Sequence, residues 1–226
     1  KADASTPNEV ALFPPFPWLG IVGEIVGAPD GAVGLGAQCC HTEPYGAFTG
    51  SVSAGMLREA GCRYVLCGHS ERRHLGGETD EVVAASMVRA LEEGLTPVLC
   101  VGETLQEREA ARARDVVLRQ LDAGLDVLPG PEAPLVVAYE PVWAIGTGLT
   151  ATPEEAAGAH AWIRTRVMER DAKRAAGLRI LYGGSVKPGN IGGLLASPDV
   201  DGALVGGASL DPEAFAALIG ATAARA

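Results

Sequence analysis

Residues 97–101, Pro-Val-Leu-Cys-Val, are a short run without charged side chains, and residues 135–139, Leu-Val-Val-Ala-Tyr, are a second run of the same kind. Between the runs, Thr104 and Glu107 have the spacing of a capping box, which predicts a helix from Thr104 to about Asp122. Continuously apolar strands are typical of parallel sheets that are buried on both faces. This stretch therefore predicts a strand–helix–strand unit of a parallel α/β fold.

The same alternation covers the rest of the chain. Helical patterns occupy Asp80–Glu93 and begin again at Thr152-Pro153 and Asp211-Pro212. The further predicted strands are Val10–Phe13, Val33–Ala37, Arg63–Cys67, Arg179–Tyr182 and Gly202–Val205. A (β/α)8 barrel needs eight strands and about 250 residues, so seven strands in 226 residues predict an open sheet or a barrel that lacks one unit. No linker divides the sequence, and we expect one domain over residues 1–226.

The net charge, the apolar runs and the cysteines argue against several classes of function. The net charge of −10 argues against binding to nucleic acid or to anionic membranes, although backbone amides can still hold a small anion. No apolar run approaches the about 20 residues of a transmembrane helix, and the first residues are too polar for a signal peptide. The odd number of cysteines and the lack of CxxC spacing predict reduced thiols and a cytoplasmic protein; they are Cys39, Cys40, Cys62, Cys67 and Cys100.

Polar and glycine-rich segments follow the strands, at the end where parallel α/β folds build their sites. Gly183-Gly184-Ser185 follows the sixth strand, and Gly206-Gly207 follows the seventh. Two such loops on neighbouring units expose backbone N–H groups, which predicts an anion site. The alternative is that these glycines only form turns.

Glu140 follows the fifth strand and precedes Pro141. A carboxylate beside apolar surface becomes a better base, which suits proton abstraction near neutral pH. The residues after it resemble a short rigid flap with flexible joints that could close over a substrate; they are Pro141, Val142, Trp143, Ala144, Ile145, Gly146, Thr147 and Gly148. The alternative is an ordinary solvated glutamate at the end of a strand.

His69 follows the third strand and precedes Ser70-Glu71, which can open a helix. A helix N-terminus disfavours the imidazolium ion, so a neutral histidine there could donate a hydrogen bond to a carbonyl. The alternative is a core histidine. We interpret His41, His74 and His160 as structural or surface residues, and no pair of histidines has metal-ligand spacing.

Three strings together resemble the triosephosphate isomerase family, in the family's order and over nearly the whole chain. They are Cys67-Gly68-His69-Ser70-Glu71-Arg72-Arg73, the segment from Ala138 to Gly148, and Tyr182-Gly183-Gly184-Ser185-Val186. The segment Pro44–Gly50, with Tyr45, Phe48 and Thr49, resembles the loop that enters the partner subunit of the family's dimer. The resemblance implies a (β/α)8 TIM-barrel fold, a homodimer or other homo-oligomer, and no cofactor or metal.

The resemblance also implies a role for each residue of the site. Glu140 would move the proton between adjacent carbons of a triose phosphate, His69 would be the neutral electrophile, and Glu71 would be a buried carboxylate beside them. Residues 141–148 would form the closing lid. The phosphate would be held by Gly146, Ser185, Gly206 and Gly207, with Leu204 as a wall of the pocket.

One part of the family's pattern has no counterpart in these 226 residues. The family's first strand ends in Asn-x-Lys, whereas Val10–Phe13 matches its second strand and none of Lys1, Lys173 and Lys187 replaces the lysine. We therefore expect seven of the eight units here and weak or absent turnover by this chain alone. The alternative function is an inactive homologue that binds phosphate or self-assembles as a structural module. Another barrel enzyme of sugar phosphates is a third possibility, which the particular string after Glu140 disfavours.

Overall fold

The computed structural model describes residues 8–147 and 149–223, without the side chains of residues 222 and 223. Lys1 and Gly148, which the sequence analysis singled out, lie outside the described residues.

Seven strands are present in the described residues, each within two residues of its predicted bounds. They are β1 (Val10–Leu12), β2 (Val33–Ala37), β3 (Tyr64–Cys67), β4 (Thr96–Val101), β5 (Val136–Tyr139), β6 (Arg179–Tyr182) and β7 (Gly202–Ala203). The strand β7 is shorter than predicted because the chain turns at Gly206 into a 3-10 turn over Gly207–Leu210.

Ten α-helices alternate with these strands in the part of the chain that the structure describes. They are α1 (Leu19–Val26), α2 (Ala54–Glu59), α3 (Ser70–His74), α4 (Asp80–Glu92), α5 (Leu105–Glu109), α6 (Ala113–Leu125), α7 (Pro153–Arg170), α8 (Ala172–Gly177), α9 (Ile191–Leu195) and α10 (Pro212–Ala223). None of the described helices is long and apolar enough to cross a membrane.

The predicted helix starts are confirmed by their caps. Thr104 and Thr152 each form a complete capping box with the glutamate three residues on, and Thr79 caps α4 through the Val82 amide. Each cap satisfies backbone N–H groups that have no partner inside the helix.

The single helix predicted from Thr104 to Asp122 is wrong, because the chain breaks between α5 and α6. Ala111 has a left-handed backbone with φ of 57°, and its N–H donates to the carbonyl of Arg108 at 2.9 Å. This conformation closes the short helix α5 and redirects the chain into α6. Alanine seldom adopts it, so no glycine signal predicted the break.

The chain divides into two compact units, residues 1–99 with 123–135 and residues 100–122 with 136–226. In the first unit, β1, β2, β3 and the start of β4 follow one another in parallel. Its core contains side chains without exposed surface, among them Leu35, Leu57, Val65, Met87 and Leu99. The single domain over residues 1–226 stays a prediction.

The second unit contains the end of β4, followed by β5, β6 and β7, with β5, β6 and β7 in parallel register. Its core includes Leu121, Val137, Ile163 and Ile180, none with exposed surface. Because the strands are parallel, their carboxyl ends lie at one edge, which is where Glu103, Glu140 and Gly183 follow their strands.

The core of this second unit contains a buried histidine. The ring of His160 on α7 has no exposed surface, and its Nδ1 lies 3.0 Å from the carbonyl oxygen of Asp199. The carbonyl can only accept, so Nδ1 carries the proton and Nε2 is the bare nitrogen. Nε2 has no hydrogen-bond partner among the described residues. Burial is the main reason that the pKa of His160 is lowered from 6.5 to about 4.

We expect this histidine to make the fold sensitive to acid. Its folded-state pKa lies below its unfolded value, so its contribution is fully present above pH 6.5 and is lost as the pH falls towards about 4. The shift corresponds to a loss of about 3 kcal/mol in the free energy of unfolding across that window. Urea unfolding at a series of pH values measures it.

The variant His160→Asn keeps a donor for the Asp199 carbonyl but does not titrate in this window, so its stability should depend less steeply on pH. His74→Asn, at an exposed position of α3, is the matched control and should keep the parent slope. If the free energy of unfolding of His160→Asn fell with pH as steeply as that of the parent, His160 would not be the group that makes the fold sensitive to acid.

Candidate active site

Glu140 directly follows β5 and is 2% exposed. Its backbone N–H donates to the carbonyl of Val101 on β4 at 2.8 Å. Its neighbours are two glycines. A Cβ on Gly102 would lie 1.7 Å from the carbonyl oxygen of Glu140, and a Cβ on Gly183 would lie 2.9 Å from its Cγ. Only residues without side chains allow the backbone and side chain of Glu140 to occupy this place.

The predicted lid begins at the next residue. Val142–Ala144 forms a 3-10 turn, and the Val142 amide donates to the carbonyl of Glu103 at 3.1 Å. Beyond Ile145 and the exposed Gly146, the hydroxyl of Thr147 donates to the carbonyl of Trp143 at 2.7 Å. The described part of the lid, residues 141–147, is therefore a folded turn, and its first residues are attached to the end of β4.

Glu103 is a site residue that the sequence analysis missed. It follows β4, its side chain has no exposed surface, and it accepts hydrogen bonds from Tyr139 Oη at 3.1 and 3.2 Å. It also accepts one from Trp143 Nε1 of the lid at 2.8 Å. Burial, followed by the charge of Glu103, raises the pKa of Tyr139, so this hydroxyl keeps its proton and remains a donor.

Arg108 of α5 compensates the buried charge of Glu103. Its guanidinium is 3.5 Å from the Glu103 carboxylate, lies 4.6 Å from the centre of the Trp143 ring, and also pairs with Glu155 of α7. The sequence contained one signal that could have identified Glu103 as a site residue: it is a carboxylate that follows a buried strand, as Glu140 is. Sequence reasoning could not show which of the two carboxylates contacts Trp143.

The glycine-rich segments after β6 and β7 lie in the same unit. The Leu204 amide donates to the carbonyl of Tyr182 at 3.0 Å, and its Cβ would be 3.7 Å from a Cβ on Gly183. Ser185 is half-buried, and its carbonyl accepts from Asn190 Nδ2 at 2.9 Å. Gly206 and Gly207 are exposed where the 3-10 turn begins. The structure thus brings Glu140, Gly183 and Leu204 together.

His69 and Glu71 belong to the first unit, at the beginning of α3. His69 is the N-cap residue, and its Nδ1 accepts from the Glu71 amide at 3.4 Å. An accepting Nδ1 is unprotonated, so in the neutral ring the proton is on Nε2, which is then a donor. The expectation of a buried Glu71 is wrong: its side chain is exposed, and the short helix α3 packs inward through Ser70.

The predicted dimer loop is also in the first unit. Tyr45 is 86% exposed, and Phe48 and Thr49 are exposed as well. The Phe48 ring packs against His41 with 4.1 Å between the ring centres. The loop therefore presents a large apolar side chain to its surroundings.

The described residues contain no group of three or more His, Cys, Asp or Glu arranged to hold a metal ion. The five cysteines are present as thiols. Burial raises the pKa of Cys62 to about 11 and that of Cys40 to about 12, which keeps these thiols protonated and poorly nucleophilic. Neither cysteine is a candidate nucleophile.

Parallel strands that alternate with helices, with carboxylates and glycine-rich turns at the carboxyl ends of the strands, are typical of parallel α/β enzymes, a class that includes the (β/α)-barrel enzymes. Within that class, the family model described as triosephosphate isomerase matches residues 1–222. The chain belongs to the triosephosphate isomerase family. This confirms the resemblance, the fold class and the isomerase class predicted from the sequence.

Three similar proteins are named triosephosphate isomerase. The triosephosphate isomerase of Halorhodospira halophila is 55% identical over 224 residues, which are 98% of this chain and 89% of the relative. That of Symbiobacterium thermophilum is 55% identical over 95% of this chain and 84% of its own length. The triosephosphate isomerase of Thermus thermophilus is 53% identical over 94% of this chain and 85% of its own length.

The contacts of Glu103 predict a measurable stability effect. Glu103→Gln removes the charge that Arg108 compensates and weakens the hydrogen bonds of Tyr139 and Trp143. We expect a loss of about 1–3 kcal/mol in the free energy of unfolding, together with a changed Trp143 fluorescence. Urea unfolding and emission spectra measure the two effects.

Glu155→Gln is the matched control, because it removes the other carboxylate of Arg108 at a partly exposed position. We expect it to cost less than about 1 kcal/mol, as exposed ion pairs usually do. If Glu103→Gln and Glu155→Gln lowered the free energy of unfolding equally, the buried carboxylate of Glu103 would contribute no more than the partly exposed carboxylate of Glu155.

Proposed function

We propose that the chain interconverts dihydroxyacetone phosphate and glyceraldehyde 3-phosphate, a reaction of glycolysis and gluconeogenesis. The observation that carries this proposal is the placement of Glu140, a carboxylate that is 2% exposed and directly precedes the lid turn. A base in this position abstracts a proton from carbon while a closing segment can exclude water.

Each residue then has a role. Glu140 transfers the proton between adjacent carbons through an enediol or enediolate, and neutral His69 polarises the carbonyl through its Nε2–H, with Glu71 beside it. Residues 141–148 close over the substrate. Gly146, Ser185, Gly206 and Gly207 hold the phosphate, and Leu204 forms a wall of the pocket. Side chains alone supply the proton transfer, so we predict neither a cofactor nor a metal.

We also infer that the protein is a cytoplasmic homodimer or other homo-oligomer that binds neither nucleic acid nor membrane. The exposed Tyr45 and Phe48 support association, because an exposed apolar loop is stabilised by burial against a partner. The net charge of −10 supports the exclusion of polyanionic partners.

A second candidate is the inactive homologue that binds phosphate or self-assembles. The observation that favours it is a row of exposed apolar side chains, Trp18, Ile21 and Ile25, at helical spacing along α1 and the turn before it. Such a row is suited to association with another apolar surface and requires no catalysis.

Coupled isomerisation assays on the 226-residue chain distinguish the two functions. Because the family's lysine has no counterpart here, we expect turnover by the parent to be weak. We expect Glu140→Gln to lower this kcat by a further factor of about 10²–10⁴, with a smaller loss in Glu140→Asp, which keeps a misplaced carboxylate. Glu169→Gln, at an exposed position of α7, is the control and should retain the parent kcat.

Unchanged turnover in Glu140→Gln would overturn the proposed role of Glu140. Binding of inorganic phosphate in calorimetry without turnover by the parent would support the inactive homologue instead.

Association through the loop is tested separately by light scattering at micromolar concentration. We expect about twice the 23.2 kDa chain mass for the parent and the monomer mass for Tyr45→Asp, because a charge at this position resists burial. Glu43→Gln, near Tyr45 in sequence, should leave the mass unchanged. A monomeric parent would refute the dimer.

A further inference from the structure

Gln120 on α6 is a polar side chain that the proposed mechanism does not use, although only 5% of it is exposed. Its Oε1 accepts from the backbone N–H of Gly102 at 2.7 Å, and its Nε2 donates to the carbonyl of Gly102 at 3.3 Å. The amide therefore pairs with both backbone polar groups of one residue, as the backbone of a neighbouring strand would.

The position of Gly102 explains why such a partner is needed. The carbonyls of Val101 and Glu103 accept from the amides of Glu140 and Val142. Successive carbonyls of an extended chain point to opposite sides, so the backbone polar groups of Gly102 are directed away from β5. Buried backbone groups without a partner are costly, and Gln120 satisfies both.

The strand end that Gln120 holds leads directly to the site. Gly102 is in close contact with the backbone of Glu140, since a Cβ at position 102 would overlap the Glu140 carbonyl oxygen. The next residue, Glu103, accepts the hydrogen bond of Trp143 in the lid. A shift of Gly102 would therefore move the backbone against which Glu140 rests and the carboxylate that holds the lid turn.

We propose that Gln120 is a positioning residue for the isomerisation: its two hydrogen bonds to Gly102 fix the end of β4 and thereby the places of Glu140 and of the lid turn at Trp143. The inference rests on the proposed function for its effect on turnover. Its effect on Trp143 does not depend on activity.

The test uses two variants and one control. Gln120→Met has nearly the same length but removes both hydrogen bonds, and Gln120→Glu keeps the acceptor for the Gly102 amide but turns the donor into a second acceptor. Leu121→Ala, at the next residue of the same helix and without exposed surface, destabilises the core and leaves both hydrogen bonds in place.

The kinetic readout is the division of the effect between kcat and KM, measured well below the unfolding temperature of every variant. We expect Gln120→Met to lower kcat by about 10- to 100-fold with little change in KM, since a small displacement of a reacting group has this consequence. We expect Leu121→Ala to keep the parent kcat. Equal kinetic effects of Gln120→Met and Leu121→Ala would overturn the proposal.

Lowering the pH should partly restore the kcat of the Gln120→Glu variant. A purely structural role of Gln120 would not predict this rescue. A buried carboxyl group protonates more readily than an exposed one, and the protonated carboxyl group of the Gln120→Glu variant reproduces the donor and acceptor of the amide. The ratio of Gln120→Glu to parent kcat should therefore rise as the pH falls from about 9 to about 6. A ratio independent of pH would count against positioning through these hydrogen bonds.

Fluorescence separates this proposal from the proposed function. In a Trp18→Phe, Trp162→Phe background, Trp143 is the remaining tryptophan. Gln120→Met should change its emission maximum and its quenching by acrylamide, whereas Leu121→Ala should not. If the parent has no isomerase activity, the proposed function fails and this readout still decides whether Gln120 positions the lid turn. Should Gln120→Met not fold, Gln120→Glu is measured in the same background.

Discussion

The buried carboxylate of Glu103 is the constraint on which the site of the second unit depends. A charge without exposed surface is tolerated only when hydrogen bonds and an opposite charge compensate it. Tyr139 from β5, Trp143 from the lid and Arg108 from α5 supply that compensation. The charge therefore ties the end of β4 to the strand that precedes Glu140 and to the segment that follows it.

Close backbone approach is the second constraint. Gly102 and Gly183 leave room for Glu140, and the amide of Gln120 holds Gly102 where this room is needed. The hydrogen bonds of Gln120 thus fix the position of Gly102, and the lack of side chains at Gly102 and Gly183 leaves the space that Glu140 occupies. A carboxylate fixed in this way loses little orientational freedom when a substrate binds, which is an advantage for proton transfer.

The sequence predicted much of this arrangement for identifiable reasons. The strands were predictable because parallel strands buried on both faces are continuously apolar, and the helix starts because Thr104 and Thr152 form local capping boxes. The break at Ala111 was not predictable, since its residue type does not favour a left-handed backbone. The exposed Glu71 was not predictable either, because burial depends on what packs against a short helix and not on the helix sequence.

By itself, the sequence determined the order of the seven strands, the family, and Glu140 and His69 as candidate residues, because these follow from local patterns and long characteristic strings. Only the tertiary structure decided that Glu103 holds Trp143, that Gln120 pairs with Gly102, and that the uncharged His160 is bonded to the Asp199 carbonyl. These contacts join residues 18 to 40 positions apart along the chain. Their energy depends on burial and on hydrogen-bond geometry, which exist only after the strands and helices have packed.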